Sequence, residues 1–315
     1  MNQSGKKREH RRGLANSSDR RQEKIGVAYG LSAFIWWGGC VFYFKAVAHV
    51  SPQEVLAHRI IWTALLLIGL LAARGRLRTA AASMKHTRKI IAIFATTILI
   101  SINWFVFIWA VANDQVLQTS LGYFINPLLN VLLGFVFLRE RFRGLQVVAI
   151  ILATVGVAIM WMDQGQVPAV ALALAITFAL YGLIRKTTHV EGVVGLAAET
   201  AFLAPVALVY LTYLGRTETL VFAHTDRITD VLLFSAGIIT ALPMVWFVNA
   251  AQRLRYATVG LMQYIGPTLT FLFAVFVFHE PFGQTELVSF ALIWSALVLY
   301  GITSFDSSSR IVQQP

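Results

Sequence analysis

The chain has 315 residues, of which 57% are hydrophobic and 13% charged, with a mean hydropathy of +0.68. That balance excludes an ordinary soluble domain, in which about a quarter of the residues are charged. The net charge of +11 raises nucleic acid as a partner, but the placement of the basic residues, given below, explains the charge without one.

Residues 1–24 are polar and Arg-rich and read as a disordered basic tail, a solvated determinant of orientation, with contact to anionic lipid headgroups as the lesser alternative. Ten apolar runs follow, at residues 25–44, 54–73, 90–112, 116–138, 144–162, 167–185, 194–214, 229–250, 257–278 and 285–305, each near the ~20 residues that cross a bilayer. The first is too long for a signal-peptide core, has no small-residue cleavage site and precedes nine more, so it reads as an anchor. Its Gly26 and Gly30, extended by Ala33, make a small-residue face for close helix approach, in internal packing rather than in a homodimer. Trp36 and Trp37 lie too deep for an interfacial aromatic belt.

Lys45 ends the first run, and Glu54, His58 and Arg59 open the second. This group sits near the outer mouth, suited to binding an anion or carrying a proton. The structural alternative is snorkelling of Lys45 and Arg59 beside a local Glu54–His58 contact. The third run carries Asn103 and Trp104 somewhat past the midplane. The fourth places Tyr123, Asn126, Pro127 and Asn130 on one helical face. Amides in hydrocarbon need partners, either a solute or a neighbouring helix. Glu199, in the seventh run, is the only acid well inside a span. It is offset from Arg59 by roughly 15 Å along the membrane normal, so the two should not pair. Arg185 or Lys186 is its expected partner, unless it serves proton coupling. The ninth run carries Gln263 and Tyr264 beside Pro267. The single cysteine, Cys40, excludes an internal disulfide and a Cys-based metal site. His189 and His224 read as solvated loop residues.

With the N-terminus in the cytoplasm, 22 of the 26 Lys and Arg fall on the cytoplasmic side. The positive-inside rule then puts both termini there, including residues 306–315. The basic balance is thus a topology signal.

The fourth and ninth runs repeat one pattern 140 residues apart, TSLGYFINPLLNVLLGFVFLRERF and VGLMQYIGPTLTFLFAVFVFHEPF. Each has a glutamate thirteen residues after the proline, Glu140 and Glu280, and a phenylalanine two beyond, Phe142 and Phe282. The two glutamates, at opposite surfaces, read as caps or gate latches. An offset of five spans means that the copies cross in opposite directions, as in inverted-repeat secondary transporters, with repeats over residues 25–162 and 163–305. Each proline removes a helical hydrogen bond near mid-span and frees the carbonyl four residues back, on Tyr123 and Gln263. Such breaks fit a wet cavity or a simple packing kink.

The stretches FIWWG and FYFK in the first run, EVLAHRIIW (54–62), NWFVFIWAV (103–111), SLGYFINPLLN (120–130), FLRERF, YGLIRK (181–186) and QYIGPTL (263–269) resemble the drug/metabolite transporter superfamily with its EamA-type repeats, and within it the RarD-type permeases. The resemblance spans residues 25–305. It implies a plasma-membrane permease of ten helices, with one to four and six to nine around a central cavity and five and ten peripheral. It implies no particular substrate.

No P-loop, H-E-x-x-H or G-x-S-x-G motif is present, which argues against ATP-driven transport and against those hydrolytic centres. A membrane-embedded lipid-modifying enzyme would need several His, Asp or Glu at one depth, and a scaffold would have a packed midplane. The reading is an all-α integral membrane secondary transporter working by alternating access, not an enzyme, with no cofactor or metal. A small metabolite or drug-like solute, planar or cationic, would contact Trp36, Asn103, Trp104, Tyr123, Asn126, Asn130, Gln263 and Tyr264 between the breaks at Pro127 and Pro267.

Overall fold

The computed structural model describes residues 3–112, 116–142, 144–164, 169–277 and 283–310, and among them every regular element is a helix. In chain order these are α1 (Gln3–Ala46), α2 (Pro52–Ala73), α3 (Leu77–Ser83), α4 (Thr87–Ala112), α5 (Val116–Leu138), α6 (Gly144–Gln164), α7 (Ala169–Thr188), α8 (Gly192–Arg216), α9 (Arg227–Arg253), α10 (Tyr256–Met262), α11 (Ile265–Phe276) and α12 (Gln284–Arg310). Eight of them contain spans long and apolar enough to cross a membrane, with mean hydropathies from 1.5 to 2.3. Only 28–50% of each such span is buried inside the protein. Leu65, Ile91, Phe105, Val206, Val209 and Phe276 all lie outward and exposed. Water would penalise so much exposed apolar surface, and lipid does not, so the chain is a multi-pass membrane protein.

Two expected spans come out differently. The ninth is divided into α10 and α11 at Gln263–Tyr264. There the backbone stays right-handed but tightens, with Tyr264 N–H donating to Leu261 O and Gly266 N–H to Gln263 O. Pro267 has no N–H for the Gln263 carbonyl, so a bond one residue shorter takes it up. The tenth is the apolar stretch Leu287–Ile302 within α12, shorter than the other spans. The basic tail also departs from expectation, since α1 is helical from Gln3 onward. The segment has no proline and many Lys, Arg, Glu and Gln, and extending an existing helix needs no new nucleus.

Helix pairing is set by small residues. α1 lies on α9, α10 and α11. A Cβ at Gly26 would come within 2.9 Å of Arg253 and Leu254, one at Gly30 within 2.6 Å of Met262, and one at Gly38 within 2.7 Å of Leu269. The Gly26–Gly30 face is therefore consumed by internal packing and not offered to a second copy. α2 packs on α8 and α9, while α4 and α5 pack on α7. α6 and α12 pair with each other, Gly156 lying against Ser289 O. α10 runs along α5, with Gly260 on Pro127 O and Asn130, whereas α11 scarcely touches α5. Beyond Tyr264 the two helices part.

Candidate functional site

Arg59 projects from α2 toward α1, α4 and α9. Its Nε donates to Thr240 Oγ1 on α9 at 2.9 Å, and its Cζ sits 5.2 Å from the Trp104 ring centroid and 5.7 Å from that of Phe44. The groups that feel its charge are Tyr43, Cys40 and Tyr123. Among the described residues no carboxylate pairs with it and no acceptor takes either Nη, and neither Nη is buried. Tyr123 is 52% exposed although it lies deep in the bundle near Arg59, with the Phe107 ring 6.4 Å from its own. A side chain both deep and accessible lines an internal crevice. Five elements thus converge there: α1 (Cys40, Tyr43, Phe44), α2 (Arg59), α4 (Trp104), α5 (Tyr123) and α9 (Thr240).

Below the crevice an aromatic plug joins α1, α7 and α9. Trp37 packs on Phe34, Phe178 and Phe247 at centroid distances of 5.7, 5.9 and 5.9 Å, and Tyr181 stacks on Phe247 at 6.5 Å. Trp36 is turned toward α9, donating to Ile239 O at 3.3 Å and meeting Trp246 edge-on at 5.8 Å.

The expected amide lining takes a different position. Asn126 is buried and donates to Ala175 O on α7 at 2.8 Å. Asn130 is fully buried and bonds both Asn126 and Gln263. Tyr264 is fully buried too, its hydroxyl donating to Phe124 O at 3.1 Å. Asn103 donates to Leu174 O and Thr177 Oγ1, both at 2.9 Å. These residues sew α4, α5, α7 and α10 together. Gly260 packs directly on Pro127 O and Asn130, so α10 lies against this face of α5. The crevice lies on the Tyr123 side of them.

The outer-mouth group separates as well. Glu54, buried, accepts Val221 N–H at 2.9 Å and Phe222 N–H at 3.1 Å, pinning the α8–α9 loop. His58 lies 3.9 Å from Glu54, accepts from Trp62 Nε1 at 3.1 Å and packs on Phe222 at 4.7 Å. Lys45 is exposed. Only Arg59, one residue further round α2 than His58, faces the crevice.

Glu199 and Arg59 do not pair. Glu199 lies 3.7 Å from Arg185 Nε, the expected partner, and accepts from Thr96 Oγ1 at 2.6 Å and Tyr181 OH at 3.2 Å. Arg185 and Glu199 are both fully buried. Lys186 instead donates to the carbonyls of Ala251 and Leu254. Glu140 is a cap, accepting Tyr256 N–H at 2.6 Å and Ala257 N–H at 3.1 Å at the start of α10, with Arg255 at 3.9 Å. Its counterpart Glu280, with Phe282, lies outside the described residues. His189 and His224 are exposed. Among the described residues no cluster of three or more His, Cys, Asp or Glu forms a metal site.

Sequence reasoning missed Phe44, Thr240, Thr96 and Tyr181. Phe44 stands in the quoted FYFK stretch and Tyr181 opens YGLIRK, but a lone threonine in an apolar helix carries no signal of which neighbour it faces.

Together the lipid-facing exterior, the bundle and the polar crevice define a polytopic α-helical membrane protein. Residues 24–162 match the EamA-like transporter family. An uncharacterized transporter of Vibrio cholerae is 43% identical over 90% of this chain and 94% of its own length. The Escherichia coli protein RarD is 42% identical over 93% and 99%. The chloramphenicol-sensitive protein RarD of Pseudomonas aeruginosa is 31% identical over 92% and 96%. A crystal structure of a protein only 15% identical shares the fold, with a TM-score of 0.69 over 89% of this chain and 98% of the other. The chain belongs to the EamA-like transporter family, on its RarD-type branch.

Proposed function

We propose that this protein is a secondary transporter, not an enzyme, that moves a small solute across the plasma membrane by alternating access through the Arg59 crevice. The reading has ten spans, α10 with α11 counting as the ninth and the apolar part of α12 as the tenth, arranged as two inverted five-helix repeats with both termini cytoplasmic. The pattern of helix contacts supports it. Exchanging the halves maps α1 on α9 onto α4 on α7, and α1 on α11 onto α5 on α7, while α2 with α8, α5 with α10 and α6 with α12 map onto themselves. The positive-inside count supports the orientation. In that orientation the crevice lies in the outer half, and the aromatic plug and the Glu140 cap close the cytoplasmic half.

The observation that carries the reading is that Tyr123 and Arg59 lie deep in the bundle, where five helices meet, and are still partly exposed. A scaffold would have filled this space with apolar side chains, and a lipid-modifying enzyme would have gathered acids and histidines there. The test is side-selective labelling. In a Cys40→Ser background, Tyr123→Cys is expected to react with a membrane-impermeant thiol reagent from outside in intact cells and to be protected when the cytoplasmic side opens. Phe135→Cys, on the lipid face of α5 at 58% exposure, should stay unreactive. Failure of Tyr123→Cys to react from either side, or simultaneous access from both, would sink the proposal.

A further inference from the structure

Among the charges inside the bundle, Arg59 stands apart because no carboxylate among the described residues neutralises it. Arg185 has Glu199, Lys186 has the carbonyls of Ala251 and Leu254, and Glu54 has two backbone amides. Arg59 has a hydroxyl and two aromatic faces. A guanidinium held in a membrane protein without a counter-ion is costly, and such groups mark the path of a charged ligand. Its geometry is specific. Nε is engaged by Thr240, which fixes the plane of the group, while both Nη are accessible and without a protein acceptor among the described residues. That leaves a two-pronged donor edge facing the crevice, the shape that meets a carboxylate.

The surroundings narrow the ligand further. Trp104 and Phe44 cover the guanidinium, and the half-exposed Tyr123 ring, with Phe107 6.4 Å from it, forms an apolar wall. A single cation suits a monoanion better than a phosphate dianion, which recruits several donors and charges. Glu54 and Glu199 are committed elsewhere, so among the described residues neither of these acids awaits an ammonium group. We infer that Arg59 and Thr240 hold the carboxylate of a small organic acid whose apolar or aromatic body lies along Tyr123. This rests on the crevice being the solute path, and it replaces the expectation of a cationic solute.

Titration calorimetry on the purified full-length protein in detergent tests it, with butyrate, phenylacetate, indole-3-acetate and phenylalanine as probes and phenylacetamide and phenethylamine as neutral and cationic matches. At least one carboxylate is expected to bind. Phenylacetamide should bind about 10- to 100-fold more weakly than phenylacetate, from the loss of charge-assisted hydrogen bonds, and phenethylamine not at all. Arg59→Gln should reduce carboxylate binding to the amide level with an unchanged thermal midpoint, and Arg59→Lys should keep part of it. Phenylalanine against phenylacetate distinguishes an amino acid from a simple acid. No binding by any carboxylate, equal binding of amide or amine, or full binding by a folded Arg59→Gln protein overturns the inference. In proteoliposomes, uptake of any solute that is indifferent to Arg59→Gln keeps the transport reading and removes this one. Carboxylate binding without uptake does the reverse.

Discussion

Two arginines enter the bundle, and they are treated oppositely. Arg185 on α7 is fully buried and held by Glu199, with the carbonyls of Glu191 and Gly192 3.5 and 3.4 Å away. It lies across Gly195, which leaves room for it by lacking a side chain. Among the described residues Arg59 on α2 meets only Thr240 and ring faces, with its donor edge open. The first charge is internally balanced and belongs to the architecture. The second is left unbalanced and is available to something that arrives. Depth alone does not separate structural from functional charge; a carboxylate within salt-bridge distance does, even though Arg185 Nε and Nη1 are buried without a hydrogen-bond acceptor among the described residues.

Disrupting Glu199 tests the contrast most severely. Glu199→Ala strands Arg185 in a dry interior and is expected to cost about 3–5 kcal/mol, read as a large drop in thermal midpoint in detergent and in folded yield. Pairing Glu199→Leu with Arg185→Met should recover most of the loss. Arg59→Gln, by contrast, should leave folded stability within about 1 kcal/mol, because it removes no counter-charge. A severe loss there would make the two arginines alike and erase the distinction.

A smaller effect is expected from the amide cluster. Asn130→Ala should lower stability by about 1 kcal/mol, and a double-mutant cycle with Gln263→Ala should show that the two side chains act on each other. A loss of solute binding with stability untouched would return Asn130 to the crevice wall. The smallest effect concerns Asp226, an exposed cap whose carboxylate accepts from Ile228 N–H and Thr229 N–H, both at 2.9 Å, and from the Thr229 hydroxyl at 2.7 Å. Above all, the Thr229 hydroxyl and the backbone amides hold its carboxyl below the usual carboxylate range. Its stabilisation is therefore fully present above the ordinary value near ~3.9 and fades as pH falls through the depressed one. Asp226→Asn should flatten that acid limb of the thermal midpoint against pH and lower the midpoint slightly at neutral pH, where the ionised cap contributes in full.

The helical spans were legible because apolar run length is imposed by the bilayer and is written contiguously. The Arg185–Glu199 pair was legible too, since a lone acid deep in an apolar helix requires a cation at its own depth. Glu140 as a cap followed from its place at a span end. The amide face of α5 was read correctly as polar and inward, but periodicity reports a direction, not a neighbour. Gly260, 130 residues from Asn130 in the chain, decides that this face is filled by helix α10. The same limit applies to the outer-mouth group. His58 and Arg59 are adjacent in sequence and 100° apart on the helix, so one packs under a loop and the other enters the crevice. The break in the second repeat was foreseen at Pro267, yet α5 stays continuous through Pro127. The two segments differ where Asn126 and Asn130 clamp one and Gly266 and Thr270 replace them in the other.

The carboxylate of Glu140 grips the first two amides of α10 from a different helix, across more than a hundred residues of chain. Any excursion that parts α5 from α10 must bare an anion and two N–H groups in the same instant, and hydrocarbon satisfies neither. Only invading solvent can take their place, so at that end of the bundle wetting and separation are one event, and the rate at which water enters sets how often the clasp comes undone.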